Sequence, residues 1–176
     1  MPIEPREALL AKVMATAAKD GLADRSLREI AASAGTSHRM LIYHFGSREG
    51  LLAAIVEAME AQQRAAMTAM TGETPAEVMT ALWEQVSSPE LRPFVRLFFE
   101  VFALATRSSF ALPDGLTAPW LTDGAAVAGR LGAEPDRAAL RLGVAVSRGL
   151  LLDLLAGAPQ EEVDEAYALF VRLYAA

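Results

Sequence analysis

Punctuation residues cut this chain into segments of helical length, and none of the segments alternates with the two-residue period of a strand. Leu9, Leu10, Val13, Met14 and Ala17 recur at helical spacing between about Pro5 and Asp20, and Gly21 stops them. A second helix starts at Ser26, where Ser26-Leu27-Arg28-Glu29 forms a capping box, and ends near Ala34-Gly35. A third starts at Ser37 and ends near His44. A fourth follows Ser47, carries Glu49 in its first turn where the helix dipole favours a carboxylate, and runs to about Met70. Thr74-Pro75-Ala76-Glu77 supplies a cap, a first-turn proline and a capping-box glutamate for the fifth. Ser88-Pro89 opens a short turn, Pro93 restarts the chain as a helix to about Arg107, and residues 108–117 form a loop. Helices over about Ala118–Leu131, Pro135–Ala156 and Pro159–Tyr174 follow. Composition agrees: Ala and Leu supply 59 of 176 residues, Val and Ile only 15. The expectation is an all-α protein of about nine helices.

Several classes are excluded. There is no cysteine, hence no disulfide scaffold, thiolate zinc site or thiol nucleophile. The longest uncharged stretch, residues 30–38, is nine residues, far short of the roughly 20 apolar residues of a spanning helix. No signal peptide is visible at the N-terminus, and the chain is expected to be cytoplasmic without membrane attachment. No Gly-x-Ser-x-Gly, phosphate-loop or His-Glu-x-x-His pattern appears. His38 and His44 are six residues apart, about 240° around a helix, so they form no metal pair. The chain is expected not to be an enzyme, with no metal and no cofactor.

The net charge of −6 argues at first against a nucleic-acid partner. Its distribution reverses that. Residues 1–50 hold seven basic and six acidic side chains; residues 51–176 hold nine and sixteen. From Thr36 to Arg48 there is no acid, while His38, Arg39, His44, Arg48, Tyr43 and three hydroxyl side chains are present. Two short helices joined at Gly35, with Ala31, Ala32 and Ala34 allowing close approach and Ile30 facing Leu41, have the geometry of a helix-turn-helix. His38 and Arg39 begin the second of them, where a recognition helix meets base edges.

The stretch Ser26-Leu27-Arg28-Glu29-Ile30-Ala31, Ala34-Gly35-Thr36-Ser37, Leu41-Ile42-Tyr43-His44-Phe45, Ser47-Arg48-Glu49 and Leu51 resembles the DNA-binding domain of the tetracycline-repressor (TetR) family, over roughly residues 5–55. Thr36 stands where that family usually has Val, Arg39 where a small residue is common, and Ile42 where a Tyr is common. The resemblance implies a DNA-binding domain over residues 1–50 and a helical ligand-binding and dimerisation domain over 51–176. It implies base contacts from Arg28, His38, Arg39, Met40 and Ile42, which suits the guanine-pairing of Arg and the thymine-methyl contact of Met or Ile. It implies phosphate contacts from Ser26, Ser37, Tyr43, His44, Ser47 and Arg48, the last helped by the following helix N-terminus.

In the body, Phe94, Phe98 and Phe102 line a nearly apolar helix that Met79 and Trp83 before it and Trp120 after it can complete as a cavity. The resemblance places an effector pocket among these helices, so a small, largely apolar effector is expected. Arg96, Glu100, Thr106 and Arg107 are candidates for a polar orienting group. Apolar residues surround the helix before Gly157, and a wide stripe marks the last one. That excess suggests a two-fold interface through Leu142, Val146, Gly149, Leu150, Tyr167, Phe170 and Tyr174. The expected protein is a homodimeric, ligand-responsive regulator, most simply a repressor, on a pseudo-palindromic double-stranded DNA operator. The competing reading is a helical binding module that has lost sequence-specific DNA binding.

Overall fold

The computed structural model describes residues 5–22, 25–107, 116–134 and 136–174, apart from the side chains of Ala105 and Arg107. Among these residues there are nine helices and no strand: α1 (Arg6–Asp20), α2 (Leu27–Ser33), α3 (His38–Phe45), α4 (Arg48–Ala69), α5 (Pro75–Ser87), α6 (Arg92–Arg107), α7 (Ala118–Arg130), α8 (Arg137–Ala156) and α9 (Gln160–Tyr174). The all-α expectation holds, and most ends fall within two residues of their punctuation. The expected loop over 108–117 lies mainly outside the described residues, as does Pro135; α8 is capped by Asp136, whose side chain accepts the Ala138 N–H at 3.1 Å.

The chain folds as two compact units, Met1–Glu60 with Arg96–Pro113, and Ala61–Val95 with Asp114–Ala176. The division differs from a cut at residue 50, because part of α6 packs with the first unit. In that unit Leu9, Leu22, Leu41, Leu51, Ile55, Leu97 and Val101 are fully buried. Each such side chain contributes about 1.5–3 kcal/mol relative to exposure. The local ends are well made. Ser26 Oγ accepts the Glu29 N–H at 3.3 Å while the Glu29 carboxylate accepts the Ser26 N–H at 2.7 Å, the capping box read from the sequence. At the other end of α2, Thr36 N–H reaches Ala31 O at 2.9 Å and Gly35 N–H reaches Ala32 O at 3.2 Å, closing the helix in a paired turn.

The second unit is built around Trp83, which stacks on Tyr167 with ring centroids 4.4 Å apart and donates its indole N–H to Asp164 at 2.7 Å. Leu154, Val163, Phe170 and Val171 complete this cluster. Burial pushes the Tyr167 phenol pKa up, and the phenol donates to Met79 O at 3.3 Å. A second cluster joins Met67, Val78 and Val127, with Leu82, Trp120 and Leu131 against it. Arginines tie the helices together: Arg64 to Asp123 at 2.8 Å, Arg130 to the Thr68 and Met70 carbonyls at the end of α4, and Arg148 to Leu116 O at 2.8 Å. One cap departs from expectation. Thr74 Oγ1 accepts the Glu77 N–H, but the Glu77 carboxylate takes the N–H of Glu73 and not that of Thr74.

Candidate nucleic-acid interface

The geometry of α3 follows from α2. Leu27, Ile30, Ala31 and Ala34 are buried on α2, and Leu41 and Phe45 are the buried positions of α3. Burying positions four apart on an eight-residue helix turns the remaining faces outward. Ser37 caps α3 by accepting the Met40 N–H at 3.2 Å. His38 and Arg39 are therefore exposed in its first turn, and Met40 is half-buried. Ile42 and Tyr43 are exposed to 40% and 67%, a surplus of apolar surface that the fold itself does not use. Arg28 is exposed on α2.

The residues expected at phosphate divide into groups. Tyr43 is free to reach outward. Ser26 and Ser37 hold helix N-termini, and Ser47 Oγ accepts the Gly50 N–H at 3.0 Å. His44 is half-buried, packs edge-on against Tyr43 at 4.9 Å, and its Nε2 is buried with no hydrogen-bond partner among the described residues. Arg48 is turned inward: Nε donates to Arg25 O at 2.9 Å and Nη2 to Leu22 O at 3.1 Å. Two peptide carbonyls thus orient the half-buried guanidinium within the unit.

Sequence reasoning passed over three residues here. Arg6 of α1 lies over the Phe45 ring at 5.1 Å, a cation–π contact that puts a further exposed guanidinium beside the end of α3. Arg25 pairs with Asp20 at 3.6 Å and bonds Ser33 Oγ, bracing the turn before α2. At Gly50 a Cβ would lie 2.1 Å from the Phe45 carbonyl oxygen, so α4 approaches the end of α3 only because the side chain is missing. The Arg6 contact has no sequence signal, since it joins residues 39 apart. Gly50 beside the 26–51 motif was a visible one.

The residues expected to line an effector pocket are shared between the two units. Phe98 and Phe102 are in the first unit; Met79, Trp83, Phe94 and Trp120 are in the second. Trp83 is buried in the core of the second unit, stacked on Tyr167. Met79 packs on that cluster and Trp120 on the Met67 cluster, while Phe94 is half-buried. The residues expected at a dimer face divide between the core and the surface. Tyr167 and Phe170 are 4% and 7% exposed, and Val146 and Leu150 pack against the same cluster. Leu142, Gly149 and Tyr174 are exposed.

A buried scaffold that presents a short, acid-free helix with exposed basic, apolar and aromatic side chains defines a helix-turn-helix DNA-binding protein. Residues 9–55 match the family described as "Bacterial regulatory proteins, tetR family". Among solved structures the chain is similar to a transcriptional regulator from Rhodococcus sp. Rha1, with TM-score 0.80 and 22% identity over 97% of this chain and 96% of that one. It is similar to a putative TetR-family transcriptional regulator from Rhodococcus sp., with TM-score 0.76 and 22% identity over 96% and 97%. A third is SmeT, the repressor of the Stenotrophomonas maltophilia multidrug efflux pump SmeDEF, with TM-score 0.65 and 20% identity over 98% and 91%. SmeT has also been solved in complex with triclosan. At these identities the likeness establishes a common fold. No curated protein matches the sequence. No helix among the described residues is long and apolar enough to cross a membrane.

Proposed function

We propose that this chain is a homodimeric transcriptional repressor that reads a pseudo-palindromic operator with α3 and is released by a small, largely apolar effector. The observation that carries the reading is the exposed face of α3. Arg39 and His38 stand at its start, Ile42 and Tyr43 further along, and no acid intervenes between Thr36 and Arg48. Arg28, His38, Arg39, Met40 and Ile42 are assigned to base edges, and Tyr43 with the helix-capping serines to phosphate.

Dimerisation is supported by a stripe on α8. Leu142, Ala145, Gly149, Leu152 and Ala156 are all exposed at alternating spacings of three and four, the pattern of a helix seam. Ala145 and Gly149 let a second helix come close. On α9, Leu169, Leu173 and Tyr174 are exposed to 49%, 66% and 57%. A two-fold pairing of these faces buries them and dictates an inverted repeat in the DNA.

The effector reading is supported by the apolar Met67 cluster with Trp120 and by Gln63, one turn earlier on α4. Gln63 Oε1 is buried without a hydrogen-bond partner among the described residues. Such an acceptor costs about 1–3 kcal/mol, which a ligand offering one donor recovers. The structurally similar SmeT, a repressor solved with triclosan, has the same fold. Selection from random duplex DNA tests the reading. Enrichment of an inverted repeat supports it; recovery of unselected sequence at every salt concentration rejects it.

A further inference from the structure

Glu100 lies on α6, outside the segment that carries the helix-turn-helix motif. Its Oε1 accepts the backbone N–H of Leu22 at 2.5 Å. From the other side of the same residue, Arg48 Nη2 donates to Leu22 O at 3.1 Å, and Arg48 Nε donates to Arg25 O at 2.9 Å. The peptide groups flanking Leu22 are thus gripped by a carboxylate from α6 and a guanidinium from α4. Leu22 itself is fully buried. Gly21 makes the grip possible. It ends α1 at φ +74° and ψ 171°, a conformation that strains any L side chain, and a Cβ there would meet Glu100 Oε2 at 3.5 Å. Leu22 lies four residues before Ser26, the cap of α2, and Arg48 is the first residue of α4, three residues past the end of α3. The entry and exit of the helix-turn-helix meet at this junction.

We propose that Glu100 is a positioning residue for the DNA-reading helices: its carboxylate holds the turn between α1 and α2 against Arg48, and so sets how α2 and α3 are presented. The proposal rests on the DNA-binding reading of α3. It assigns Glu100 to the turn, not to the orientation of an effector, and it makes α6 part of the DNA-reading unit although residues 9–55 alone carry the family pattern.

The test compares Glu100→Ala, which removes the acceptor, with Glu100→Gln, which keeps an oxygen that can accept the same N–H. In Glu100→Ala the Leu22 amide exchanges faster with solvent, and the backbone amide resonances of Arg39 and Tyr43 on α3 shift. Affinity for a duplex selected by the wild-type chain falls about tenfold, the scale of one lost hydrogen bond to a charged group. Glu100→Gln stays within about twofold of wild type on that same scale. Glu100→Asp, which keeps the charge but withdraws it by one methylene, moves the α3 resonances in the same direction if Glu100→Ala does not fold. The proposal is overturned if the α3 resonances of the folded variants superimpose on those of wild type. It is equally overturned if the Leu22 amide is released while duplex affinity is unchanged. If the wild-type chain selects no duplex, the DNA-binding reading fails, and the α3 resonances alone decide whether Glu100 sets their geometry.

Discussion

Arg48 Nε donates to the carbonyl oxygen of Arg25 at 2.9 Å, joining the first residue of α4 to the residue before the cap of α2. With its second bond to Leu22, this closes the helix-turn-helix on itself. Arg48→Ala is therefore expected to lower stability by about 1.5–3 kcal/mol, the range for hydrogen bonds to a charged group. Arg48→Lys restores little, because an ammonium lacks the planar fork that reaches both carbonyls. Denaturant titration of the variants checks this. A stability equal to wild type would return Arg48 to the role of an exposed phosphate contact.

Gly50→Ala sets two magnitudes against each other. Alanine in a helix is favoured over glycine by about 1 kcal/mol. Against that, its Cβ would meet the Phe45 carbonyl oxygen at 2.1 Å, and that oxygen belongs to backbone which cannot rotate away. Overpacking of this kind costs about 1–3 kcal/mol or more. The clash is expected to win, with a lower thermal midpoint and weaker duplex binding. A more stable Gly50→Ala would show that α4 tolerates separation from α3.

The proposed dimer face and the core of the second unit can be separated by mutation. Leu173→Glu, at a residue 66% exposed, is expected to leave the fold intact and yield monomers. Phe170→Ala, in the Trp83 cluster, is expected to cost about 3–5 kcal/mol of stability. Sedimentation and thermal melting distinguish the two. Leu173→Glu remaining a dimer at every concentration would remove α9 from the interface.

Most of the helical architecture was legible because its signals are local. The Ser26 capping box, the Ser37 and Thr74 caps and the glycine stops each act within a few residues, so they read directly from the chain. The inward face of α2 and α3 was legible too, since Ile30, Ala31, Ala34 and Leu41 follow helical spacing. What the sequence left open depends on long-range partners. Tyr167 and Phe170 sit on an apolar stripe that serves a core as well as an interface, and only the stacking on Trp83 decides between them. Arg48 looked like a surface cation until two distant carbonyls claimed it. Glu100 looked like a polar group in an apolar helix, and its partner is 78 residues away.

Acid should loosen the cap of α2. The Glu29 carboxyl is held below its ordinary value, chiefly by the side-chain hydrogen bond from Ser26 and then by the Ser26 backbone N–H. A depressed folded-state value means a contribution present above the unfolded value near 4.5 and lost as pH falls through the folded value. The wild-type thermal midpoint should fall more between neutral pH and roughly pH 3 than that of Ser26→Ala, in which the bond is already gone. Parallel pH curves would show that the box contributes nothing to this dependence.

The central claim is that α3 reads sequence, and parallel selections from random duplex DNA by the wild-type chain and by Arg39→Ala test it most directly. The wild-type chain is expected to enrich an inverted repeat. Arg39→Ala is expected to enrich the same repeat with one position per half-site relaxed and affinity lower by about 1–3 kcal/mol. Identical preferences would move base reading away from Arg39, and no enrichment by the wild-type chain would contradict the account as a whole.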